Sequence, residues 1–144
     1  MPSQSYENHR QLVPAFHFVL LGLLAAAVLG ALVNLFQSFG DSQKLTSALL
    51  LLVLTLSLVL VTFLSRIFAL KSQDRAIRAE ENLRHLVLTG KLLDPRLSIR
   101  QIIALRFASD SEFASLARQA AENTLSPDAV KRAVKQWRPD YHRV

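Results

Sequence analysis

Two stretches without a single charged side chain constrain this chain more than any other feature: the 30 residues from Gln11 to Gly40 and the 21 from Leu45 to Ser65. A helix needs roughly 20 apolar residues to cross a bilayer. A soluble core can hide one such segment, but two in succession leave a chain of 144 residues too little polar sequence to cover both. Strands are excluded in these stretches, because hydrocarbon satisfies backbone groups only within helices or closed barrels. The spacing therefore predicts two spanning helices, about Ala15 to Phe36 and Leu45 to Phe68, following a polar arm over residues 1–14. The apolar region of a secretory leader is shorter, about 7–15 residues. The first segment exceeds that and is followed by an equally apolar second one, so it reads as a retained span.

The link from Gln37 to Lys44 is short and rich in turn formers, with Gly40-Asp41-Ser42 at its centre. It predicts that the second span returns antiparallel to the first, making a transmembrane hairpin. Orientation follows from the basic residues, which favour the cytoplasmic side. Of 17 Lys and Arg residues, only Arg10 and Lys44 precede the end of the second apolar run. The others begin at Arg66 and continue with Lys71, Arg75, Arg78 and Arg84. Both termini are thus expected in the cytoplasm, with Arg10 and His9 adding to the charge of the arm.

Residues 69–144 read as a basic helical tail. Ala76, Ala79, Leu83, Leu86 and Val87 recur at helical spacing and predict an amphipathic helix continuing from the second span. On it Glu80 can pair with Arg84, and Glu81 with His85, one turn apart. Gly90 is placed to terminate it in the left-handed conformation. Three short helices are expected after the Asp94-Pro95 turn. The first opens at Ser98 with Ile99, Ile102, Ile103 and Phe107 inward. The second starts at a Ser109–Glu112 capping box and runs toward Asn123. The third starts at Ser126-Pro127-Asp128 and runs to about Trp137, before Pro139. The fold class is an all-α membrane protein: a two-helix hairpin, an amphipathic helix and three short helices.

Chemistry-bearing constellations are sparse. The chain has no cysteine, which removes disulfides and thiolate metal sites. It shows no glycine-rich phosphate loop, nucleophile elbow or HExxH pattern. Neither span carries an ionisable residue well inside it, which argues against an ion path. Of the histidines His9, His17, His85 and His142, only His17 approaches a span. Between Phe16 and Phe18 it reads as an interfacial anchor rather than a haem or pigment ligand. No catalytic residue, metal or cofactor is expected, and no small-molecule substrate. A helix-turn-helix reading of the tail lacks a recognition helix with base-reaching side chains, so nucleic acid is not expected either.

Surfaces remain. Gly22, Ala26 and Gly30 repeat every four residues on one face of the first span, with Asn34 a turn further. Small residues at that spacing let a second helix approach closely. That helix is either the chain's own second span or one from another protein. Arg66, Lys71, Arg75, Arg78 and Arg84 suit anionic lipid headgroups or an acidic partner surface.

The segments YENHRQLVPAFHF (Tyr6 to Phe18), LVLTGK (Leu86 to Lys91), QIIALRFASDSE (Gln101 to Glu112) and LSPDAVKRAVKQWRPDYHRV (Leu125 to Val144) together resemble a family of small bacterial two-span membrane proteins known as a domain of unknown function. The resemblance covers nearly the whole chain. It implies a bacterial inner-membrane location and a helical architecture, and it brings no activity or catalytic residue. The expectation is a non-catalytic accessory or scaffold subunit of a larger membrane complex, respiratory or photosynthetic, with other integral membrane subunits as partners. The alternative is a free-standing regulatory protein whose basic tail binds anionic lipid.

Overall fold

The structure, a computed structural model, describes residues 5–7 and 12–140. His9, Arg10 and His142, and the expectations attached to them, lie outside the described residues. Among the described residues the chain is helical: a π-helical segment Ala15–Leu20 leads into α1, Leu21–Gln37, followed by α2, Ser42–Thr89, α3, Ile99–Leu105, α4, Asp110–Glu122, and α5, Pro127–Ala133. Among the described residues no strand forms, and an antiparallel bridge joins Ala108 and Trp137. Two compact units result, one of residues 12–69 and one of residues 70–140 with the N-terminal residues 5–7.

Ala15–Gln37, in the first unit, and α2, whose apolar run lies there, are long and apolar enough to cross a membrane. Only 6% and 11% of their most apolar windows are buried by the chain, so neither is the covered core helix of a globular fold. The residues that are covered are small: Ala31 on α1 and Ala48 on α2. The Ser38 hydroxyl donates to the Asn34 carbonyl at 2.7 Å, closing the end of α1. Gly40 then takes φ +101°, a conformation a side chain would strain. Asp41 Oδ1 accepts the amides of Gln43 (3.1 Å) and Lys44 (3.2 Å), which starts α2 at Ser42, earlier than the apolar run alone suggests.

α2 does not stop where its apolar run ends. It continues without interruption to Thr89, joining the second apolar run and the amphipathic segment in one helix of 48 residues. Gly90, at φ +74°, terminates it as its spacing predicted.

The second unit determines which side of that amphipathic segment is covered. Ala76, Ala79, Leu83, Leu86 and Val87 are exposed, and the covered residues are Ile77 and Glu81, about half a turn away. The reason is electrostatic. Glu81 lies where Arg84 and Arg138 can meet it, and the hydrophobic stripe is left outward.

One helix cap and one helix boundary also differ from the sequence reading, although α4 begins after Ser109 and ends before Asn123 as expected. Ser109 makes no side-chain cap to α4; its hydroxyl pairs with that of Ser111 at 2.9 Å. Glu112 instead accepts the amides of Lys135 (3.1 Å) and Gln136 (3.0 Å). That engagement ends α5 at Ala133, short of Trp137, and turns the chain extended at Val134. The Arg138 amide then donates to the Phe107 carbonyl at 2.7 Å, and the Trp137 ring lies 4.9 Å from that of Phe107. The capping box occurs at α3, where Ser98 and Gln101 cap each other. Gln101 also donates to the Leu125 carbonyl at 2.8 Å, fastening α3 to the α4–α5 turn. Ile102, Leu105, Phe113, Leu116 and Val130 form the apolar centre; Ile99 and Ile103 are only half-buried.

A reciprocal cap contributes about 1 kcal/mol. Ser98→Ala should therefore lower the stability of this unit by about that much, and Ser109→Ala by a few tenths at most. Denaturant unfolding of the full chain in detergent, followed by Trp137 fluorescence, separates the two; equal losses would contradict the assignment.

Candidate functional site

The densest polar cluster lies against the covered face of α2. Glu81 projects toward the module because it shares a helix face with Ile77, and Arg84 follows one turn on. The Arg84 side chain is only 12% exposed. Its guanidinium donates to Glu81 at 3.0 Å, to Asp110 at 2.7 Å and to the Ala108 carbonyl at 2.7 Å. It also lies 4.2 Å from the centre of the Phe113 ring, a cation–π contact strengthened by removal from water. Arg138 reaches the second oxygen of Glu81 at 3.7 Å. Arg106, equally shielded, pairs with Asp140 at 3.2 Å and stacks on Phe107 at 4.7 Å.

Glu81, Arg106, Arg138 and Asp140 border a cleft of about 520 Å³ with Gln73, Ala76 and Glu80 on its rim. The cleft contains neither a nucleophile nor a histidine. Among the described residues no three His, Asp or Glu side chains are placed to hold a metal ion. Its shielded charges are balanced within the chain, as buried ions must be. The cluster is an internal fastening.

This changes the standing of Arg84. Expected on a basic surface and in reach of Glu80, it is engaged inside and paired with Glu81. The i,i+3 and i,i+4 options are both geometrically open on a helix, and only Asp110, 26 residues away, decides between them. His85 likewise turns from Glu81 to the Lys91 carbonyl, at 2.7 Å. Lys71, Arg75 and Arg78 are exposed, whereas Arg66 lies 5.2 Å over the Phe16 ring.

At the start of the first apolar helix, His17 Nδ1 is 2.9 Å from the Val13 carbonyl and 3.2 Å from its amide. Phe16 meets the His17 ring edge-on at 5.2 Å, and Phe18 is exposed. Gly22, Ala26, Gly30 and Asn34 are all exposed, and nothing lies within 4 Å of where a Cβ would stand on Gly22 or Gly30. The covered side of α1 carries Leu24, Val28 and Ala31 instead. Leu24 and Val28 share an apolar groove with Val59 and Phe63 of α2. Asn34 borders a small cavity with Gln43, Lys44 and Ser47 of α2, whereas Gly22, Ala26 and Gly30 stand clear of it.

One contact had no sequence signal. The Tyr6 hydroxyl donates to Asp128 at 2.6 Å and accepts from Arg132 at 3.2 Å, with the guanidinium 5.2 Å over its ring. The Tyr6 hydrogen bond, with Arg132 and Lys131 nearby, holds the Asp128 carboxyl below the usual range. Asp94 is held at about 2 by its hydrogen bonds with Arg96.

Removing one member of a shielded pair costs far more than replacing both. Glu81→Gln should destabilise this unit by about 3 kcal/mol. The double variant Glu81→Leu/Arg84→Met should recover most of that loss, as read by denaturant midpoints of the full chain. A double variant worse than either single would contradict the fastening role.

The model of a family described as a family of unknown function (DUF6526) matches residues 1–144. No curated protein and no solved structure matches the chain.

Proposed function

We propose that this chain, which belongs to the DUF6526 family of unknown function, is a non-catalytic accessory subunit of a larger bacterial inner-membrane complex of respiratory or photosynthetic type. Its two apolar helices cross the bilayer as a hairpin, its first span docks on another integral membrane subunit, and its tail covers that partner's cytoplasmic face.

The observation that carries the reading is the open small-residue face of α1. Gly22, Ala26 and Gly30 form a strip that the chain itself leaves uncovered, and Asn34, a turn further, borders a cavity with Gln43, Lys44 and Ser47 of α2. In lipid, helices associate through close packing rather than hydrophobic exclusion, and such strips are where backbones meet. The shielded ions of the second unit fit the same reading, because they fasten the tail rather than perform chemistry.

The Tyr6–Asp128–Arg132 contact supports the placement of both ends on one side of the membrane. A residue before the first span can touch α5, beyond the second, only if the number of crossings between them is even. The excess of Lys and Arg after residue 65 makes that side the cytoplasm.

Lipid binding is a second reading, favoured by Lys71, Arg75 and Arg78 standing exposed just beyond the second apolar run. Each such cation contributes about 1 kcal/mol near an anionic surface.

Purification from native membranes in mild detergent tests the proposal. The chain should co-migrate stoichiometrically with other membrane subunits, and Gly22→Leu/Gly30→Leu should release them while the chain stays in the membrane fraction. A solitary monomer would contradict the subunit reading. Anionic lipid retained on that monomer, and lost in Lys71→Gln/Arg78→Gln, would favour the second.

A further inference from the structure

The stripe that the fold turns outward on α2 has a heptad order. Ser72, Ala76, Ala79, Leu83 and Leu86 alternate spacings of four and three, the pattern by which one helix meets another along a seam. All five are exposed, with Leu83 at 61% and the flanking Val87 at 77%. The covered residues Ile77 and Glu81 lie on the far side of the helix; Ala76 and Glu80 stand exposed at the rim of the cleft, and Ser72, Ala79, Leu83 and Leu86 lie clear of it. The small side chains at 72, 76 and 79 allow close approach, and Leu83 and Leu86 supply the apolar fill.

The charges beside the stripe determine what covers it. Arg75 precedes Ala76 on one flank, and Glu80 follows Ala79 on the other. Two parallel copies in register bring Arg75 of each against Glu80 of the other, twice about the dyad. An antiparallel pairing sets like charges together instead. Neither residue has an ion-pair partner among the described residues.

We propose that residues 72–87 of α2 form a parallel two-stranded seam with a second copy of this chain. On the membrane reading proposed above, copies inserted the same way are already parallel. The seam itself stands on the spacing and the self-complementary charges.

The absence of cysteine makes the test direct. Full-length Ala79→Cys and Arg78→Cys variants in membrane vesicles are oxidised with a copper–phenanthroline catalyst. A disulfide needs Cα atoms about 4.4–6.8 Å apart. Ala79→Cys should therefore give a covalent dimer, and Arg78→Cys, which points off the seam, should not. In the Ala79→Cys chain, Arg75→Glu or Glu80→Arg should each reduce the dimer yield at least about fivefold through like-charge repulsion. Arg75→Glu together with Glu80→Arg should restore it. Trp137 fluorescence reports whether each variant keeps its folded module.

No cross-link at 79 while other subunits still co-purify would overturn the seam, assign the face to a heterologous partner and leave the subunit reading intact. Reaction of Leu83→Cys with a lipid-phase probe, without cross-linking, would overturn it in favour of the bilayer surface. Equal yields at 78 and 79, or no restoration by the double charge exchange, would also overturn it. A cross-linked dimer that purifies without other subunits would keep the seam and contradict the accessory-subunit reading.

Discussion

A carboxylate shielded from water must be matched by cations in reach, and in this chain Glu81 is met by Arg84 and Arg138. That requirement decides which side of α2 receives α3, α4 and α5. Arg84 carries the constraint onward: through Asp110 and the Ala108 carbonyl it fixes the loop that opens α4, and through its ring contact it sets Phe113 in the apolar centre. Hydrophobic burial stabilises the module, yet an ionic contact chooses its docking face. The cost is an apolar stripe, Leu83 to Val87, left facing outward.

The first unit follows a different rule. Its helices expose most of their large apolar side chains and bring only small residues such as Ala31 and Ala48 out of reach of solvent. A globular protein in water does the reverse. Helices of this kind suit a hydrocarbon surrounding, where packing of small residues replaces hydrophobic exclusion. The uncovered strip at Gly22, Ala26 and Gly30 is the same device left without its counterpart, and the accessory-subunit proposal supplies one. The two open faces, one on α1 and one on α2, are of different chemistry and call for different partners.

Signals that are local in the sequence were legible. The two charge-free runs, the break at Gly40, the stop at Gly90 and the start of α5 at Ser126-Pro127 each depend on residues within a turn of one another. The errors arose where a distant residue decided the outcome. Glu112 fits a capping box by spacing, but the amides of Lys135 and Gln136 recruit its carboxylate and shorten α5. Arg84 fits a basic surface by its neighbours, but Asp110 draws it inside. The stripe from Ala76 to Val87 is present as a pattern but is not the covered face, because helical periodicity marks an apolar side without saying what meets it. The Tyr6–Asp128 contact joins residues 122 positions apart and left no trace in local composition.

The sidedness of α2 is the claim on which these arguments meet, and cysteine labelling measures it directly. In the full chain, dispersed to monomers in detergent, a water-soluble maleimide should react quickly with Arg78→Cys and slowly with the adjacent Ile77→Cys. Adding Glu81→Gln should bring the rate at 77 up to that at 78. Equal rates at the two positions with Glu81 intact would mean that the module does not sit on that face, and the ionic account of this fold would fail.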